Sequence, residues 1–100
     1  NTVRMPTLLA LAAMKAFALG QRSKWKDYVD LFFILRDHHA LDEIVRVAER
    51  LFGSNFNAKL FRQQLSYFDD VSYAEPVVFK PGFAVSDEEV RRALTEYSLA

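Results

Sequence analysis

Residues 8–20 read Leu8-Leu9-Ala10-Leu11-Ala12-Ala13-Met14-Lys15-Ala16-Phe17-Ala18-Leu19-Gly20, and Lys15 is their only charged member. Alanine and leucine dominate the run, and both are strong helix formers. Thr7 can cap it, Pro6 sits before the cap, and Gly20 is a good stop. The pattern predicts a helix over 7–19 that is apolar nearly all round and therefore central to the packing. A cation in such a helix must stay wet or be supplied with an anion. Two acids, Asp27 and Asp30, follow on the next apolar segment.

That segment predicts a second helix over 25–37, after a polar link of residues 21–24. Val29, Leu31, Phe32, Phe33, Ile34 and Leu35 leave almost no polar face in its later half. A link this short between two apolar helices predicts an antiparallel hairpin. A third helix is expected over 42–52, stopped by Gly53. Its apolar stripe is Ile44, Val45, Ala48, Leu51 and Phe52, and Glu43, Arg46, Glu49 and Arg50 face water. A fourth runs from the cap Asn57 to Tyr67, with Leu60, Phe61, Leu65 and Phe68 on one side. Phe61, Tyr67 and Phe68 read as core rather than base-stacking residues.

Residues 69–85 are irregular, with Asp69-Asp70 starting a turn and Pro76, Pro81 and Gly82 as breakers. Val77–Phe79 reads as a short extended piece. Ser86 and Glu89 have the spacing of a capping box and open a last helix over 87–98. The expected architecture is all-α, a bundle of about five helices in a single domain of residues 1–100.

The 100 residues include 13 basic and 13 acidic side chains, so the chain has no overall bias toward nucleic acid. Any anion-binding role must be local. There is no cysteine, which excludes disulfides and thiolate metal sites and fits a cytoplasmic location. Residues 8–19 are too few to span a bilayer and lack a secretory cleavage pattern, so no membrane association is expected. The chain opens at Asn1 and enters a helix almost at once, as a piece of a longer protein would.

Lys15 and Arg22 are seven residues apart, two helical turns, if Gly20 does not break the register. Asp27 and Asp30, three apart, share a face of the second helix. A hairpin brings the two cations and two carboxylates together near the link. One reading is an ion-pair cluster that holds the helices together, with Lys26 and Asp30 pairing at i,i+4 on an exposed face. The other is a nucleotide site, because a lysine with nearby carboxylates is a common way to hold a phosphate and its divalent metal. His38-His39 suits the negative end of a helix dipole and lacks a third ligand. No metal site is expected in this chain. No Walker loop, dinucleotide fingerprint, nucleophile elbow or zinc signature is present.

The stretch from Leu9 to Leu35 resembles the back half of the AbiEii-like nucleotidyltransferase toxins. That family's pattern here looks like A-M-K-x-x-A-L-x-x-R-x-K-x-(K/R)-D-x-x-D-L. Ala13, Met14, Lys15, Ala18, Leu19, Arg22, Lys24, Lys26, Asp27, Asp30 and Leu31 match it. Leu65 to Asp70, followed by Pro76, is similar to the family's next segment. The resemblance covers roughly residues 7–76.

The resemblance implies the C-terminal helical part of a polymerase-beta-like nucleotidyltransferase that acts on an NTP with Mg2+. It implies an acceptor such as tRNA, and a toxin with a cognate antitoxin. By carry-over, Lys15 would contact the triphosphate and Asp27 would be an active-site acid, a base or an orienting group. Arg22 and Lys26 would support substrate binding, and Asp30 would organise the helix pair. The family's metal-binding acids lie on an upstream strand unit that this sequence lacks, so the sheet-bearing N-terminal half is a further partner. Alone, the chain is not expected to catalyse transfer, and its uncovered apolar surface would favour self-association. The competing expectation is a small helical protein-interaction module in which Lys15, Asp27 and Asp30 are structural.

Overall fold

The computed structural model describes residues 7–69, 71–74, 77–79 and 81–99. Expectations that fall on Pro6, Asp70 and Pro76 lie outside them. Five α-helices follow one another: α1 (Leu8–Leu19), α2 (Trp25–Asp37), α3 (Leu41–Phe52), α4 (Ala58–Leu65) and α5 (Asp87–Leu99). A 3-10 turn, Gly53–Asn55, joins α3 to α4. Among the described residues there is no sheet, and the all-α expectation holds.

Local chemistry sets most of the helix ends. Thr7 Oγ1 accepts from the Ala10 amide at 3.0 Å, Asn57 Oδ1 from Leu60 at 3.0 Å, and Ser86 Oγ from Glu89 at 3.1 Å. Each satisfies a donor that the first helical turn leaves open. Ala40 has no side-chain acceptor, so α3 keeps only the other half of a capping box, the Ala40 amide donating to Glu43 Oε1 at 2.9 Å. That bond holds the Glu43 carboxyl below its ordinary range. Gly53 stops α3 at φ 55°, where a side chain would be strained. Gly20 ends α1 at φ −74°, so that stop needs no left-handed residue.

α1 packs most extensively on α3 and less on α2, so the first two helices are neighbours without being the main pair. Alanine decides this. Ala12, Ala13 and Ala16 are buried, and such small side chains let helix backbones approach closely. Phe17 stacks on Phe52 across the α1–α3 contact, ring centres 4.1 Å apart. The price of that small-residue face is that Leu8, Leu11 and Met14 are exposed. The helix is central to the packing as expected, touching α2, α3 and α4, but its apolar surface is not covered on every side. Leu51, Leu60 and Tyr67, expected in the core, are exposed as well. Helix α4 ends at Leu65, which leaves Tyr67 beyond the helix and its register.

The connection from α4 to α5 is fastened at separate points. Ser72 bridges to Lys24, with the Ser72 amide donating to Ser23 O at 2.6 Å and the Trp25 amide to Ser72 O at 2.9 Å. Phe79 and Phe83 meet the ring of Phe33 on α2 edge-on, at 6.1 and 6.0 Å. Val77–Phe79 forms no strand, because no described segment offers it a ladder partner.

Candidate functional site

Helices α1 and α2 bring the four expected charges together. Lys15 Nζ lies 2.8 Å from Asp30 Oδ2 and 3.3 Å from Asp27 Oδ1. Arg22 Nε is 3.7 Å from Asp27 Oδ2, too far for a hydrogen bond. Arg22 lies past the end of α1, so it reaches Asp27 from the link and not by helical register. Lys26 is exposed, and Asp30 pairs with Lys15 in place of the i,i+4 partner considered for it.

Position on the helix explains how a carboxylate survives here. Asp27 is in the first turn of α2, where the helix dipole favours a negative charge. It is the one buried charged residue among those described, 6% exposed. Its Oδ2 is buried with no hydrogen-bond partner. An unmatched buried oxygen of this kind costs free energy and calls for an explanation. Lys15 is held in its charged form. Burial alone would lower its pKa, but the hydrogen bond and charge of Asp30, and then of Asp27, outweigh burial and raise it. The ammonium side chain keeps 20% of its surface open, and Arg22 keeps 59%. The cluster is thus charge-balanced, ordered and reachable from solvent, with one carboxylate oxygen unsatisfied.

The carboxylates do not make a metal site by themselves. Both are turned onto Lys15, and among the described residues no three His, Asp or Glu side chains converge as ligands. His38 and His39 sit at the end of α2, and His39 Nδ1 faces Glu43 Oε1 at 3.5 Å, an ordinary surface pair.

A second cluster on the same turn of α2 has no counterpart in the sequence reading. Trp25 Nε1 donates to Asp87 Oδ1 at 3.0 Å. The Arg91 guanidinium lies over the rings of Trp25 and Tyr73, 5.2 and 5.9 Å from their centres, and donates to the Tyr73 hydroxyl at 3.0 Å. The Tyr28 hydroxyl lies 3.1 Å from Gln64 O and 3.3 Å from Tyr67 O. Trp25 and Asp87 are 62 positions apart, so no local spacing signals the contact. The lone tryptophan at the start of an apolar helix was the only hint.

No helix among the described residues is long and apolar enough to cross a membrane. An uncharacterized protein of Aquifex aeolicus (strain VF5) is 30% identical over 88 residues, which is 87% of this chain and 42% of that protein. The chain thus spans about two fifths of the length of this curated relative. No solved structure matches the chain. The family described as nucleotidyl transferase AbiEii toxin, type IV toxin–antitoxin system, matches residues 1–97. With its lysine, arginine and paired aspartates brought together at the junction of α1 and α2, the chain belongs to that family.

Proposed function

We propose that this bundle is the C-terminal helical part of a nucleotidyltransferase that moves a nucleotide from an NTP to an acceptor, with an RNA such as tRNA as the acceptor class. In this reading the full protein is the toxin of a toxin–antitoxin pair and works in the cytoplasm, where NTPs are abundant. One observation carries the reading: the Lys15 ammonium is anchored by two carboxylates yet still open to solvent. An ammonium has three N–H donors, so two bonds to aspartates leave one for a ligand oxygen. Fixing the lysine in advance removes the entropy cost of ordering it around a phosphate. Arg22, mostly exposed and 3.7 Å from Asp27 Oδ2, and the exposed Lys26 supply further basic groups on the same stretch of chain.

Asp27 then has two tasks in this scheme. Its Oδ1 holds Lys15, and its buried Oδ2, without a hydrogen-bond partner, faces the Arg22 guanidinium at 3.7 Å. Asp30 fixes the other side of the lysine. The Mg2+ that such chemistry uses would be held by acids outside this chain, since the two aspartates here are turned onto Lys15 and, among the described residues, join no ligand set of three. The bundle alone is inactive on this account.

The test is label transfer from each NTP by the full-length protein, comparing wild type with Lys15→Met. A drop of at least a hundredfold in turnover, with unchanged helical content, is expected. Full activity in the variant would sink the reading. The alternative, an interaction module with no catalytic activity, draws on the charge balance of the cluster, since ion pairs that only hold helices together are neutral as well.

A further inference from the structure

Beside Lys15 a cleft of about 380 Å³ opens between α1 and α2. Its walls are apolar: Leu8 and Leu11 from α1, Phe33 and Ile34 from α2. The Lys15–Asp30 pair closes one end and His38 the other. Eight residues separate Asp30 from His38, roughly 12 Å along the helix axis. Phe33 is the divider of a larger groove. A second cleft of about 380 Å³ runs along its other side, toward Phe79 and Phe83, and shares Asp30, Phe33 and His38 with the first.

Leu8 and Leu11, 36% and 40% exposed, give the cleft an uncovered apolar wall. The wall composition says what could cover it. One end offers an ammonium held by Asp30 with an N–H still open, the middle an aromatic ring and aliphatic side chains, and the far end an imidazole that can exchange hydrogen bonds. The complementary molecule has an anionic end, a flat apolar body and a polar edge, in that order. A nucleotide has this build.

We infer that the cleft between α1 and α2 takes the nucleoside portion of the nucleotide whose phosphates meet Lys15, with the base against Phe33 and Leu11. This rests on the nucleotide-site reading above and adds to it the place of the base. Stacking on a ring tolerates every base, because all have a π face. Any preference among bases would come from His38 at the far end, which lies on the polar edge of the bound base.

Two probes separate the parts of the site in the full-length protein, an NTP and inorganic tripolyphosphate, which lacks base and sugar. Phe33→Leu keeps apolar volume and removes the ring. Leu11→Ser removes the opposite wall at an exposed position. Each is expected to weaken NTP binding about tenfold and leave tripolyphosphate binding unchanged. Lys15→Met is expected to weaken both ligands. If the Phe33 and Leu11 variants bind NTP as wild type does, or lose both ligands equally, the base site is overturned. If Lys15→Met loses neither ligand, the phosphate assignment fails, whatever the cleft residues do.

Discussion

Two faces of the same first turn of α2 solve the problem of buried polarity in opposite ways. On one face Trp25 and Tyr28 are buried, and each places its polar atom on an acceptor, Asp87 for the indole and main-chain carbonyls for the phenol. On the other face Asp27 is buried with one oxygen matched and one not. Structure alone accounts for the first face, since a closed set of hydrogen bonds leaves nothing for a ligand to do. The second keeps a buried carboxylate on ion pairs with Lys15 and Arg22 and leaves one of its oxygens without a hydrogen bond. That imbalance, more than the number of charges, supports the proposed reading of the Lys15 side as a candidate site.

The contrast breaks most visibly at Trp25. Its indole touches Tyr28, Phe68 and Tyr73, carries Arg91 on its ring and reaches α5 through Asp87. Trp25→Ala should cost about 4 kcal/mol in urea denaturation, the range for truncating a buried aromatic. Loss of this clasp also frees the α4–α5 connection, so the denaturant slope should fall if α5 detaches first. A cost under about 1 kcal/mol would mean that α5 is held elsewhere.

Next in size is Lys15→Met, expected to cost about 2 kcal/mol at neutral pH, because it leaves two aspartates facing each other at a partly open site. The same variant tests the protonation argument. Lys15 binds its proton more tightly folded than unfolded. Its contribution is therefore whole below the unfolded pKa, about 10.4, and is lost as pH rises through the higher folded value. Wild-type stability should fall more steeply than that of the variant above pH 10. Parallel curves would show that the aspartates do not hold the ammonium.

Tyr28→Phe sharpens the comparison from the satisfied side. It removes one hydroxyl from a fully buried ring and takes a donor from the Tyr67 carbonyl, while the Gln64 carbonyl keeps the Tyr67 amide at 3.2 Å. A loss of about 1 kcal/mol in thermal or urea unfolding is expected, with no change in nucleotide transfer by the full-length protein. A change in transfer without a change in stability would move the functional site onto this face.

Much of this arrangement is legible in the residues. Thr7, Asn57, Ser86 and Gly53 mark helix ends because capping is local chemistry, and the bounds of α2 follow from its apolar run alone. The meeting of Lys15 with Asp27 and Asp30 follows from two helices joined by a short link. What the sequence does not display is which faces pair across distance. The α1–α3 contact depends on alanines whose value is close approach, a property that hydrophobic patterning does not register. The exposure of Leu8 and Leu11 is the other side of that choice. The Trp25–Asp87–Arg91 clasp joins residues far apart in the chain, and an isolated Trp at a helix start gives no address for its partner. At the site, the residues themselves stood out, but the unmatched Asp27 oxygen is a geometric fact that no spacing rule delivers.

Asp27→Asn has the smallest expected effect on stability and the largest bearing on interpretation. The substitution keeps the shape of the side chain and removes its charge. Lys15 retains Asp30 at 2.8 Å, so the ammonium is still paired. Arg22 loses little, being mostly exposed and beyond hydrogen-bond distance. Against the lost Lys15 contact stands relief from a buried charge whose second oxygen has no partner, and from repulsion by Asp30 one helical turn away. The two contributions oppose each other, and the net change should lie within about 1 kcal/mol of wild type in thermal unfolding. Transfer by the full-length variant should fall sharply, because an amide does not anchor the lysine as strongly. A site residue behaves this way, held by the fold at a cost and kept for what it does. A marked drop in melting temperature with transfer intact would reverse the assignment and make the cluster a brace between α1 and α2.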